Sequence, residues 1–335
     1  MDLRFKLFFV INSVFLFFSC SVNNKNNLEN LSVEYIYAEE YAEELLIRPP
    51  HSLDLLSDGL MVSQSNGDGF ITFLNKKDMS ILLQWGKMGN GPEDFISPQY
   101  CGHVKENLYF YDFNLRRMTL LHRDVNDGLR LYKHKKFDNK ELYITNLHVL
   151  DENYILANVV MGADNPLVLM DGDLNVISGF GSISPKKVSD GKSYVGRFAS
   201  SGNRFVHAMN DVGYLSCYEQ TDGSVSKLWE YYVSEPVFTD DGRLNKKETL
   251  DGFWDVKISN GKVYAIYNGK NYDEKKNPDM RFPTTILVFD FSEGKLLNKY
   301  VTDRDVCRMA VDNNGLIYGV GTRPEIEIVK YKLPD

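Results

Sequence analysis

The sequence predicts an all-β chain folded as a six-bladed β-propeller, four antiparallel strands per blade, with the ring closed by the N-terminal strand. Three observations carry this. A tight polar turn ending in Gly or Asn recurs six times, at Ser57-Asp58-Gly59, Lys105-Glu106-Asn107, Asp151-Glu152-Asn153, Ser201-Gly202-Asn203, Ser259-Asn260-Gly261 and Asn313-Asn314-Gly315, at intervals of roughly 46 to 58 residues, the length of a blade with long loops. Each turn lies between an apolar stretch and a β-branched and aromatic run, and the chain holds 20 Tyr and 20 Phe, a content that suits strands. A third-strand pattern also recurs, as Arg117-Met118-Thr119-Leu120-Leu121, Leu167-Val168-Leu169-Met170-Asp171, Tyr214-Leu215-Ser216-Cys217-Tyr218, Thr285-Ile286-Leu287-Val288-Phe289-Asp290 and Ile326-Glu327-Ile328-Val329-Lys330.

In chain order, residues 1–19 read as a secretory signal, because Arg4 and Lys6 precede an apolar run from Leu7 to Phe18 that is short for a membrane span. Phe17-Phe18-Ser19-Cys20 resembles a bacterial lipobox, which implies lipidation of Cys20 and a protein held on a membrane outside the cytoplasm, as a periplasmic or surface-exposed lipoprotein of the cell envelope. The Asn-rich stretch 20–31 then serves as lipidated Cys and flexible tether. No linker divides the rest of the chain, so 32–335 forms one propeller domain. The last repeat runs out of chain before a fourth strand, and Ser32-Val33-Glu34-Tyr35-Ile36-Tyr37 is expected to complete it, removing an open edge. A free helix running on into residues 38–44 is the competing account.

The first blade sets the scheme, with strands at 52–55, 60–64, 70–74 and 80–85 joined by hairpin turns. After it comes Gly86-Lys87-Met88-Gly89-Asn90-Gly91-Pro92-Glu93-Asp94-Phe95-Ile96-Ser97-Pro98. Its glycines permit positive φ where the chain crosses between blades, Phe95 is placed to bury beneath the crossing, and Pro98 stiffens the next strand. This stretch resembles the G-x-x-G-x-G-P-x-x-F-x-x-P connector of NHL-like and TolB-like six-bladed propellers, including the TolB-like lipoproteins of bacteria. A weaker echo is Gly179-Phe180-Gly181-Ser182-Ile183-Ser184-Pro185. The resemblance implies recognition of a protein or glycan rather than chemistry.

Loop length is concentrated at 184–193, 234–251 and 268–283, which propeller topology puts on one face with the 86–98 connector; loops gathered on one face of a rigid scaffold form a binding surface. Aligning the inner strands on their turns places Ser52, Cys101, Asn146, Arg197, Asp255 and Arg308 at equivalent channel positions, with His51, Tyr100 and Trp254 one residue earlier. His51, Tyr100, Asn146, Arg197, Trp254, Asp255 and Arg308 are thus the candidate ligand-binding set, able to grip a carboxylate or sugar-like ligand through Arg and an aromatic platform. The competing reading is an ion-pair network that ties blades together.

Other chemistries find little support. Net charge is -8 over 335 residues, and removal of the signal with Asp2, Arg4 and Lys6 (net +1) leaves -9, which argues against nucleic acid. Neither dinucleotide nor Walker loop patterns occur, nor does G-x-S-x-G. The six histidines lack metal-ligand spacing; a metal site would have to be assembled in space from His51, His103 and His148. Asn66-Gly67-Asp68-Gly69 and Asp171-Gly172-Asp173 read as hairpin turns rather than calcium loops. Beyond Cys20, the cysteines Cys101, Cys217 and Cys307 read as buried small hydrophobes. No catalytic residue, cofactor or metal is assigned, and a monomer is expected. The alternative is a hydrolase- or lyase-type enzyme acting on a carbohydrate or lactone at the channel mouth, with Asp255 and His51 as acid/base groups and Arg197 and Arg308 as clamps.

Overall fold

Strands such as Leu60–Ser63 form because both of their faces are buried between neighbouring blades, so apolar side chains run continuously along them. Met61 points to the seam with the second blade and Val62, its neighbour, to the seam with the sixth. The computed structural model describes residues 28, 31–40, 50–57, 59–64, 69–124, 128–181, 191–323 and 325–334. The signal, Cys20, nearly all of the tether, the turn at 65–68, residues 41–49 and the loop 182–190 lie outside them.

Six sheets make the ring. Their inner strands are Ser52–Leu55, Pro98–Val104, Tyr143–Val149, Gly196–Ser201, Phe253–Ser259 and Arg308–Val311. The first blade continues through Leu60–Ser63, Ile71–Leu74 and Ile81–Trp85, within one residue of the strands expected from sequence. Each seam between adjacent blades carries its own apolar cluster. That between blades one and two holds Phe70, Phe73, Phe95 and Phe110; that between six and one holds Leu53, Val62, Ala310 and Val320. Full burial of each such side chain stabilises by about 1.5–3 kcal/mol. The buried cysteines Cys101, Cys217 and Cys307 belong to three of these seams and are free thiols.

The N-terminal segment closes the ring, but over two blades rather than one. Val33–Ile36, expected to complete the last blade, instead lies parallel on Leu296–Thr302, the outer strand of blade five, with Val33 opposite Lys299. Glu39–Glu40 then supplies the missing strand of blade six, antiparallel to Glu327–Tyr331. Ile36 decides this arrangement: it is 3% exposed, packed with Tyr264, Tyr300 and Tyr331 in the seam between blades five and six. The chain turns there on Asp303, whose N–H donates to the Ile36 carbonyl (3.2 Å) and whose Oδ1 accepts the Ala38 N–H (3.0 Å).

The connector between blades one and two buries Phe95 as expected, but of its glycines Gly86 alone takes a positive φ. Gly86 has φ +86°, a conformation that glycine adopts freely. Phe95 is fully buried, edge-on to Phe70 (5.9 Å) and Trp85 (5.8 Å). Asp94 Oδ2 accepts the Gly91 N–H at 3.0 Å, and a Cβ at Gly89 would stand 2.3 Å from that oxygen. Asp112, also fully buried, accepts the N–H groups of Ile96 and Ser97 with one oxygen and those of Asn114 and Leu115 with the other.

Candidate functional site

A cavity of about 340 Å³ occupies the centre of the ring. Its lining runs from His51, Gln99 and Gly196, at the long-loop ends of their inner strands, to Leu55, Leu150, Ile258 and Val311 at the short-turn ends. Of the seven candidate ligand-binding residues, His51, Tyr100, Asn146, Arg197 and Asp255 line it; Trp254 and Arg308 do not. The Trp254 ring packs edge-on against Phe282 (5.4 Å) in the seam between blades five and six. Arg308 donates to the carbonyls of His51 (2.6 Å), Trp254 (3.2 Å) and Cys307 (2.5 Å), which fastens blades five, six and one to each other.

Asp255 is 6% exposed, and its carboxylate accepts the backbone N–H groups of Val256 and Met309, both at 3.0 Å. Asn146 accepts from Gln99 Nε2 (2.5 Å) and donates to the Gly196 carbonyl (2.7 Å), a chain of bonds through blades two, three and four. Tyr100 Oη lies 2.9 Å from His103 Nδ1, and burial raises its pKa well above the ordinary phenol value. Arg197 is different. Among the described residues it makes no hydrogen bond or ion pair, and burial, followed by the Arg308 charge, brings its pKa down to about 10. The His51 imidazole is lowered by burial and by both arginines, so it is neutral at pH 7.

The structure adds residues that the turn-based alignment passed over. Lys257 Nζ lies 2.5 Å from Asp54 Oδ1, joining blades five and one across blade six, where the register puts only Ala310. Burial raises the Asp54 carboxyl against the pull of this ammonium, and the Asp54 and Asp255 charges hold Lys257 protonated against its own burial. His148 Nε2 bonds Ser200 Oγ at 2.8 Å, and burial, then Lys257 and His103, lower its pKa to about 3. Asp54, His103, His148 and Lys257 each lie two residues beyond an aligned position. The two-residue period of a strand would have found them as the next level of the channel. The three histidines considered for a metal all line the cavity, but among the described residues no group of three or more His, Cys, Asp or Glu is placed to hold one.

Six blades, seams of one type and a polar centre agree with the comparison by sequence family: the model described as TolB-like 6-blade propeller-like matches residues 32–314. The chain belongs to the TolB-like propeller family. No curated protein sequence matches this TolB-like propeller. Among solved structures, a candidate exported protein of Bacteroides fragilis is similar with a TM-score of 0.62 at 10% identity, over 90% of this chain and 99% of its own. Regucalcin, a calcium-binding protein of Agrobacterium tumefaciens, follows at 0.53 and 9%, over 90% and 94%. The β-propeller domain of Myceliophteria thermophila Cps50 (Swd1) gives 0.50 and 11%, over 86% and 98%. At these identities the TolB-like propeller shares their fold alone.

On its long-loop face the TolB-like propeller exposes large apolar side chains. Met88 lies in the connector, Tyr143 and Met161 at the adjoining ends of two blade-three strands, and Tyr272 and Met280 in the 268–284 loop, each 38 to 67% exposed. The other exposed large hydrophobics lie on the N-terminal segment and the outer strands, with Leu82 and Ile177 beside the short turns at Gly59 and Gly223. The loops beneath this face are braced. Asp251 receives Lys275 Nζ at 2.7 Å and Asn268 Nδ2 at 3.0 Å, and Arg323 donates to the Pro278 carbonyl at 3.2 Å.

Proposed function

We propose that this chain is an extracytoplasmic binding propeller, anchored through lipid on Cys20, that docks a protein on its long-loop face. The observation that carries the reading is the set Met88, Tyr143, Met161, Tyr272 and Met280, exposed together on that face. Methionine and tyrosine are enriched where proteins meet, because they offer large adaptable contact area. The bracing around Asp251 supports it further, since pre-ordered loops lose less entropy on binding. The basic start and apolar run of residues 1–19 and the cysteine at 20 support export and anchoring. The likeness to a candidate exported protein supports export alone.

Catalysis at the channel is the weaker reading. Both oxygens of Asp255 are taken by backbone amides, and no bond joins it to His51. In living cells, a photo-crosslinking amino acid at position 161 or 272 is expected to yield a discrete protein adduct, while one at 152 on the short-turn face yields none. Equal adducts at all three positions, or none, would overturn the docking face, and an adduct dissolved by glycosidases would replace the protein with a glycan. Radiolabelled palmitate should enter the wild-type chain and not Cys20→Ser; equal labelling removes the anchor from the proposal.

A further inference from the structure

The central cavity has donors and acceptors left over, and together they describe a ligand. Three cations stand in or beside it, Arg197, Lys257 and Arg308, against two carboxylates, Asp54 and Asp255. Lys257 is paired with Asp54, Arg308 is spent on three backbone carbonyls, and Asp255 on two backbone amides. One positive charge therefore remains inside a chain of net charge -8, and it is Arg197, whose guanidinium has no hydrogen-bond partner among the described residues. An arginine fork of this kind matches a carboxylate through two parallel bonds.

Two buried acceptors in the same lining are also unpartnered, Asp54 Oδ2 and Gln99 Oε1. A buried acceptor without a donor costs about 1–3 kcal/mol, so a ligand that brings O–H groups to both recovers that penalty. Phe198, stacked on His148 with ring centroids 6.3 Å apart, gives the lining an apolar wall against which a carbon skeleton can lie. An anion alone would leave the two acceptors bare, and a neutral polyol would leave the guanidinium bare.

We propose that the cavity binds a small hydroxylated carboxylate of the sugar-acid class, its carboxylate held by Arg197 and its hydroxyls donating to Asp54 and Gln99. This site is separate from the docking face and shares no residue with it.

Calorimetric titration of the mature chain with D-glucuronate, D-glucose and acetate tests this. Glucuronate is expected to bind at least about tenfold more tightly than either control. Arg197→Gln should lose at least about tenfold, and Gln99→Leu should lose less, while Lys246→Ala, at an exposed ion pair, is unchanged. Because Arg197 makes no hydrogen bond or ion pair among the described residues, Arg197→Gln should fold with an unchanged or raised Tm, which separates lost binding from lost structure. A disaccharide ending in glucuronate distinguishes the sources, since only an acidic oligosaccharide end would bind in that form as well as free. The proposal is overturned if glucuronate does not bind at millimolar concentration, if acetate or glucose binds equally well, or if Arg197→Gln retains full affinity.

Discussion

His148 and His207 are buried as neutral imidazoles, each with its pKa lowered to about 3, His148 by burial and then by Lys257 and His103, His207 by burial alone. His207 is 1% exposed and bonds Asn158 at 3.1 Å. An unfolded histidine takes up its proton near pH 6.5 while these remain neutral, so the unfolded chain binds more protons below that point. Their stabilising contribution is complete above about pH 6.5 and is lost as pH falls toward 3, at up to about 1.4 kcal/mol per pH unit for each ring. Urea unfolding at pH 6.5 and pH 5 should show a steeper loss for the wild type than for His148→Gln/His207→Gln. Equal losses would mean that the two rings are not the titrating groups.

Among the elements, the N-terminal segment offers the sharpest test, because its strand alternates between a buried and an exposed face. Ile36 is 3% exposed and Tyr35 is 67% exposed. Ile36→Ala should cost about 2–4 kcal/mol in urea unfolding, in the range for buried aliphatic truncation, and Tyr35→Ala no more than about 0.5 kcal/mol. Similar costs would show that the segment is not docked in solution. The segment also marks how far the sequence could be read. A spare strand was legible in its β-branched and aromatic residues, whereas the blade it joins depends on a partner, Lys299, more than 260 positions away.

The candidate site was legible to the same depth and no further. Turn spacing located the inner strands, and those strands placed His51, Tyr100, Asn146, Arg197 and Asp255 at the cavity. Register shifts within the inner strands, between Ile144 and Asn146 and between Phe253 and Asp255, alter which side chains face inward. Nor does any local pattern reveal that Arg308 spends its donors on His51, 257 residues away.

Across the whole molecule, the Lys257–Asp54 pair links two blades that are not neighbours, and each side chain is about one-fifth exposed. Lys257→Met strands a buried carboxylate and should cost about 3–5 kcal/mol, whereas Lys257→Met/Asp54→Leu removes both charges and should recover most of it. A double-mutant cycle measures the difference; a single-variant cost below about 1 kcal/mol would show that the pair is solvated. The six apolar seams, by contrast, are equivalent in kind, which explains why turn spacing alone could define the architecture.

Val33–Ile36 and Glu39–Glu40 pair with blades five and six, so these strands are synthesised long before their partners. Until residues near 299 and 329 exist, Val33–Ile36 and Glu39–Glu40 have no partners, and blades already made form an open arc with a bare edge at each end. Completion thus waits for the synthesis of blade six. A chain cut short before blade six retains most of its hairpins but has no ring, and therefore no enclosed cavity.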